Sequence, residues 1–156
     1  VLKTMQWALT KYRHVGISQR FMNNATGHEF TTTAKVTHAL GYHVPTVMQH
    51  CKLGRVRMFE DLDYTLQLLR AGFDNVVYHW AAANDPSGFN APGGESGHRT
   101  VKDIDDGALK MAKLHPGLVR VVERKGPKAD VQGHYRIVVS WKKALAFDTI
   151  GGSNDE

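Results

Sequence analysis

The stretch from residue 58 to residue 73, MFEDLDYTLQLLRAGF, decides how this chain is read. Leu62, Leu66 and Leu69 recur at i, i+4 and i+7, which is one apolar stripe of a helix. Glu60, Asp61 and Asp63 fall in its first turn, and Gly72 stands where such a helix stops. Glu60 and Asp63 are three apart and so are expected to share a face. Negative charge at a helix start is ordinary capping, because free N–H groups and the helix dipole favour it. Three acids exceed that need. A cluster of this kind binds a cation or keeps one carboxylate as a proton acceptor. Capping and catalysis both stand as readings of these residues.

Outward from that helix the chain reads as alternating α and β segments. The first residues, VLKTMQWAL, are helical, with Leu2, Met5 and Leu9 on one side and Trp7 elsewhere. A chain that opens at Val1 inside an element reads as a fragment or a trimmed protein. Residues 14–20, HVGISQR, are short and β-like, and 21–29 form a polar loop. The pattern predicts a helix over 31–40, entered through three threonines and closed by Gly41. It places a stop at Pro45 and a short strand over 46–50. After the acidic helix, NVVYHW (75–80) is a buried strand, and 81–99 is a long loop with two prolines and four glycines. A second amphipathic helix over 101–115 turns Ile104, Ala108, Met111 and Ala112 inward and ends at Pro116. Residues 118–123 and 135–141 are expected to form a hairpin around a polar turn. Residues 151–156 read as a flexible tail, which leaves 1–150 as one domain.

Composition narrows the classes. With 156 residues, 42% hydrophobic and 22% charged, the chain is globular rather than disordered. No apolar run approaches the ~20 residues of a membrane span. No signal-peptide pattern opens it. The single cysteine, Cys51, excludes an internal disulfide and reads as a buried, inert thiol in a reducing, cytoplasmic setting. A net charge of +5 suits a polyanionic partner, either nucleic acid or a nucleotide diphosphate.

Three runs carry a likeness to a known family. They are EDLDYTLQLLRAG (60–72), GGESGHRT (93–100) and HPGLV (115–119), separated by the strand NVVYHW. Their order resembles glycosyltransferases of the GT-A fold, and most closely the phage TET-associated glycosyltransferases. The resemblance covers roughly residues 5–145 and looks like the later, acceptor-side half of that domain. It implies an α/β fold of GT-A or Rossmann-like type, a mixed sheet flanked by helices, in an incomplete domain. The activity it implies is transfer of a sugar from a nucleotide sugar to a hydroxyl, on hydroxymethylpyrimidines of phage DNA in the bacterial cytoplasm. The first half, with its Asp-x-Asp at a strand end, is not found. Asp61-Leu62-Asp63 and Asp103-Ile104-Asp105 match the letters but lie at helix starts. The family also implies a divalent cation, manganese or magnesium.

The chemistry sorts these residues into roles. Sugar transfer needs a base for the acceptor hydroxyl and positive charge for the leaving diphosphate. By position in the family the base is Asp61, with Glu60 and Asp63 orienting substrate or neighbours. Gly93, Gly94, Ser96 and Arg99 are the candidates for holding phosphate. Glycine backbone approaches an anion closely, a helix start favours negative charge, and Arg99 can pair with a phosphate in two-point fashion. A plain flexible loop with a surface arginine is the other reading of the same run. The nine histidines lack metal-ligand spacing. His98 alone is named as a metal ligand, on the family's habit of using a late histidine. His115, at a helix end, suits the dipole. Arg55 and Arg57 balance the acidic helix or touch a phosphate backbone. Trp7, Trp80 and Trp141 read as core packing before base stacking. The rival from another class is a non-catalytic, basic nucleic-acid-binding module.

Overall fold

A computed structural model describes residues 1–19, 27–36, 39–84 and 98–151. They fall into two compact units: one built from 1–53, 61–84 and 141 onward, the other from 54–60 and 85–140.

The first unit is organised on a mixed four-stranded sheet. Its strands are β1 (His14–Gln19), β2 (Phe30–Thr32), β3 (Leu40–Tyr42) and β4 (Asn75–Ala83), in the order β2-β4-β1-β3. The two central strands, β1 and β4, run parallel, and the two edge strands pair with them antiparallel. Val15, Ile17 and Val76 form a core with Met5 and Ala8 of helix α1 (Leu2–Ala8). Of the stripe Leu2, Met5 and Leu9 read at the N-terminus, Met5 is buried and Leu9 packs on this core, whereas Leu2 is exposed. The coarse α/β class with a mixed sheet and helices therefore holds.

The acidic helix is present as α3 (Glu60–Arg70), preceded by a shorter α2 (Val44–His50). Gly72 ends α3 as expected. Its N–H donates to the Leu69 carbonyl, and the Phe73 N–H donates to that of Leu68. This double bond pattern needs a left-handed residue at the turn, and Gly72 has φ +84°. Buried Asn75 at the start of β4 has a partner at both ends of its amide. Its amide accepts from the Ala34 N–H at 2.9 Å and donates to the Ala34 carbonyl at 2.8 Å, which fastens the segment after β2.

Three readings of this region are corrected. No helix spans the described part of 31–40. Thr31 and Thr32 are β-branched and join β2, paired with Val77 and Val76. Residues 46–50 are helical, because Pro45 lies in the first turn of α2, where its missing N–H costs nothing. Trp141 does not end a strand. It opens helix α6 (Trp141–Gly151), which takes Gly151 out of the expected tail.

The second unit pairs a helix with a hairpin. Helix α4 (Val101–Leu114) buries Ile104, Gly107, Ala108 and Met111, and Ala112 is half-buried. Strands β5 (Val119–Glu123) and β6 (Tyr135–Val139) form the expected antiparallel hairpin, and a short helix α5 (Ala129–Gln132) occupies its turn. The start of α4 is a full capping box. Thr100 Oγ1 accepts from the Asp103 N–H, and the Asp103 carboxylate accepts from the Thr100 N–H.

Candidate functional site

Helix α3 sorts its three acids by burial. Residues 62, 63, 65, 66, 68 and 69 face inward, while Asp61, Tyr64, Gln67 and Arg70 are only half-buried and line the outer side. Glu60 is exposed, Asp61 half-buried and Asp63 fully buried. Glu60 and Asp63 stand three apart on α3 as expected, yet one is in water and the other is buried. The helix is buried around most of its circumference, so spacing of three does not place both acids in water. Asp63 Oδ2 accepts a 2.9 Å bond from Gln67 Nε2, one turn on. Gln67 Oε1 in turn accepts from the Lys52 N–H at 2.7 Å. Asp63 is thus a buried tie in the first unit. Asp61 Oδ1 accepts from the Leu62 N–H at 2.9 Å, which holds its carboxylate at the helix start with part of it still open to solvent.

One neighbour of these acids was passed over in the sequence. His14, the first residue of β1, is completely buried. Its ring stacks on Tyr42 with centroids 4.3 Å apart and planes 19° off parallel. Thr65 connects it to α3. The Thr65 hydroxyl lies 2.8 Å from the Asp61 carbonyl and 3.3 Å from His14 Nδ1. Thr65 spends its proton on the carbonyl, so His14 must donate from Nδ1. Its Nε2 is then a buried lone pair with no hydrogen-bond partner. Burial lowers the imidazole from its ordinary 6.5 to about 3, so the ring is neutral at neutral pH. Only a metal-like spacing would have drawn attention to His14 in the sequence, and it has none.

In the second unit, His98 is exposed and Arg99 half-buried. Gly93, Gly94 and Ser96 lie outside the described residues, as do 21–26 of the expected polar loop, most of the long loop (85–97) and 152–156 of the tail. The helix start that follows Arg99 carries its own carboxylate. Asp103 accepts from Thr100, whose hydroxyl above all holds it below the usual carboxylate range. Arg57 Nη1 stands 3.7 Å from that carboxylate. Positive charge for an anion would therefore come from Arg99 more than from the helix dipole. Asp105 has a structural task too. Its carboxylate accepts from the Tyr135 N–H at 3.0 Å and lies 2.8 Å from His134 Nδ1. Burial alone would raise its pKa, yet these bonds lower it. His115 caps the end of α4, fully buried, with Arg55 Nη2 3.3 Å from its Nε2.

Among the described residues no three His, Cys, Asp or Glu side chains converge as a metal site. The implied manganese or magnesium thus has no matching donor set there. Cys51 is half-buried rather than buried. No helix of the described residues is long and apolar enough to cross a membrane. Comparison of the chain with protein-family models, curated proteins and solved structures gives no match.

Proposed function

We propose that the chain is the acceptor-side part of a glycosyltransferase that moves a sugar from a nucleotide sugar to a hydroxyl, with 5-hydroxymethylpyrimidine in DNA as the acceptor. The motif likeness suggests the class. The observation that carries the assignment of roles is the graded burial along α3. Of its three acids, Asp61 alone is both held by a backbone N–H and open to solvent. A base must be reachable by the acceptor and fixed in direction, and Asp61 meets both needs. Glu60 is too exposed to be fixed, and Asp63 is too buried to be reached. Asp63 is a positioning residue that steadies the first turn through Gln67.

In this reading the Asp61 carboxylate takes the acceptor proton as the hydroxyl oxygen bonds to the anomeric carbon. The bond from that carbon to the diphosphate breaks, and the diphosphate leaves with its electron pair. The motif likeness alone gives Gly93, Gly94, Ser96 and Arg99 the task of holding the leaving diphosphate.

The test is transfer of a labelled sugar to hydroxymethylated DNA. Asp61→Asn should reduce it by ~100-fold or more, since positioned bases contribute roughly 10²–10⁴. The melting temperature should hardly move, because Asn also caps helix starts. Full activity in Asp61→Asn rules out the base. Lost activity with a collapsed melting temperature returns Asp61 to capping.

The second reading, a nucleic-acid-binding module without catalysis, is favoured by one specific observation. Trp80 is more than half exposed, against the expectation of core packing. Trp7 is exposed as well, but the Lys11 ammonium covers its ring, 4.6 Å from the ring centre, so it has no part in this reading.

A further inference from the structure

Three aromatic rings stand together on one face of the sheet in the first unit. Phe30 lies directly opposite Tyr78 in the antiparallel β2–β4 pair, so both side chains point the same way. Their ring centroids are 6.3 Å apart at an interplanar angle of 63°. Trp80, two residues further along β4, sits 6.2 Å from Tyr78 at 54°. Tyr78 is half-buried and packs against the core of Met5, Ala8, Val15, Ile17 and Val76. Phe30 and Trp80 are 50% and 51% exposed. The trio is therefore anchored at its centre and open at both ends.

Its position is unusual for mere surface. The parallel β1–β4 ladder runs in step from His14↔Asn75 to Ile17↔Tyr78, and then Ser18 pairs with Ala82. Residues 79, 80 and 81 are extra on β4. Such irregularities re-aim side chains and gather beside binding sites. This one lies toward the carboxyl ends of two adjacent parallel strands, the end at which open α/β sheets bind ligands.

We infer that Phe30, Tyr78 and Trp80 form a stacking platform for the bases of single-stranded nucleic acid. Rings tilted by 54° and 63° offer separate faces in different directions. That arrangement suits splayed bases, not the continuous stack of a duplex. Charge agrees with a polyanion. Residues 1–53, which supply α1, β1, β2 and β3, hold Lys3, Lys11, Arg13, Arg20, Lys35 and Lys52 against a single acid, Glu29, and stay basic when 61–84, which supplies β4, adds Arg70 against Asp61, Asp63 and Asp74. The platform rests on the nucleic-acid-binding reading. Its test needs no sugar donor, so it stands or falls apart from the role of Asp61.

The experiment is a titration of the full chain with fluorescently labelled oligothymidylate, read by anisotropy and by quenching of tryptophan emission at several salt concentrations. Binding should quench emission and weaken steeply with salt. Trp80→Ala should weaken it by about 10-fold or more, whereas Trp80→Phe retains most of it. Trp7→Ala should leave it unchanged. If Trp80→Ala does not fold, as judged by thermal melting, Phe30→Ala on the edge strand carries the same expectation. Salt-dependent binding that ignores Trp80 and Phe30 overturns the platform, and so does equal weakening by Trp7→Ala. Quenching by a neutral oligosaccharide, independent of salt and as tight as that by DNA, overturns the nucleic-acid assignment in favour of a carbohydrate surface. Absence of binding at low salt overturns both.

Discussion

The sheet unit and the hairpin unit bury different chemistry. The first encloses His14, Ser18, Thr46, Asp63, Thr65 and Asn75, whereas in the second His115 is the one buried polar residue among the described residues. Burying a polar group costs free energy unless a partner replaces water. Asn75 and Asp63 have such partners, but His14 is bonded at Nδ1 only. The second unit keeps its carboxylates at the rim. Asp103 caps a helix and Asp105 pins a hairpin to it. A polar interior fixes directions and responds to protons. An apolar interior with acids at its rim is a scaffold. The difference suggests where titratable chemistry is held in this chain.

Acidification should separate the two units most. His14 has a folded pKa of about 3 against 6.5 unfolded, so the unfolded chain binds its proton first. Its contribution is complete above pH 6.5 and is lost as pH falls toward 3, by up to ~1.4 kcal/mol per pH unit. Asp103 and Asp105 have pKa values depressed below 3.8, so their contribution is complete above that value and is lost only as pH falls through the depressed range. Amide exchange, corrected for intrinsic rates, should lose protection in β1 and β4 between pH 6.5 and 4 while β5 and β6 hold. His14→Phe should flatten that response. Equal loss in both units over this range would break the contrast.

A smaller effect probes the packing of the scaffold. Gly133 has φ +80°, and a Cβ there would lie 2.7 Å from Ile104 Cγ2 and 2.8 Å from Asp105 Oδ1. Gly133→Ala should destabilise the hairpin unit by about 2–3 kcal/mol, through backbone strain and overpacking together. Urea unfolding measures it, and a change under about 0.5 kcal/mol would show that the turn is loosely held. The smallest effect is at the capping box. Thr100→Ala should cost about 1 kcal/mol, seen as weaker exchange protection in the first turn of α4. No change there would mean that Asp103 caps alone.

The same contrast explains what could be read from the sequence. The hairpin unit is built from neighbours in the chain. Helix 101–114, strand 119–123 and strand 135–139 follow one another, and their periodicities name them. The sheet unit depends on distant pairings. Thr31 and Thr32 look like the entry to a helix until they meet Val77 and Val76, some 45 positions away, and only that partner makes them a strand. Pro45 reads as a stop, although proline also opens helices, as it does in α2. At the site, the acids and their helix start were legible because charge and leucine spacing are local. Their burial order was not, since it depends on what packs around α3. His14 was invisible for the same reason. One histidine before an apolar run says nothing until Tyr42 and Thr65 close on it.

The interleaving of the two units bears on how the chain is made. The sheet unit draws on three separated segments, and the last begins at Trp141. The hairpin unit has all of its residues by Ser140. Synthesis proceeds from the N-terminus at roughly 5–20 residues per second. On the ribosome, therefore, all four strands of the sheet are made before α4 begins. The sheet can pair while the hairpin unit is still being made, and only α6 of its own unit arrives after the hairpin.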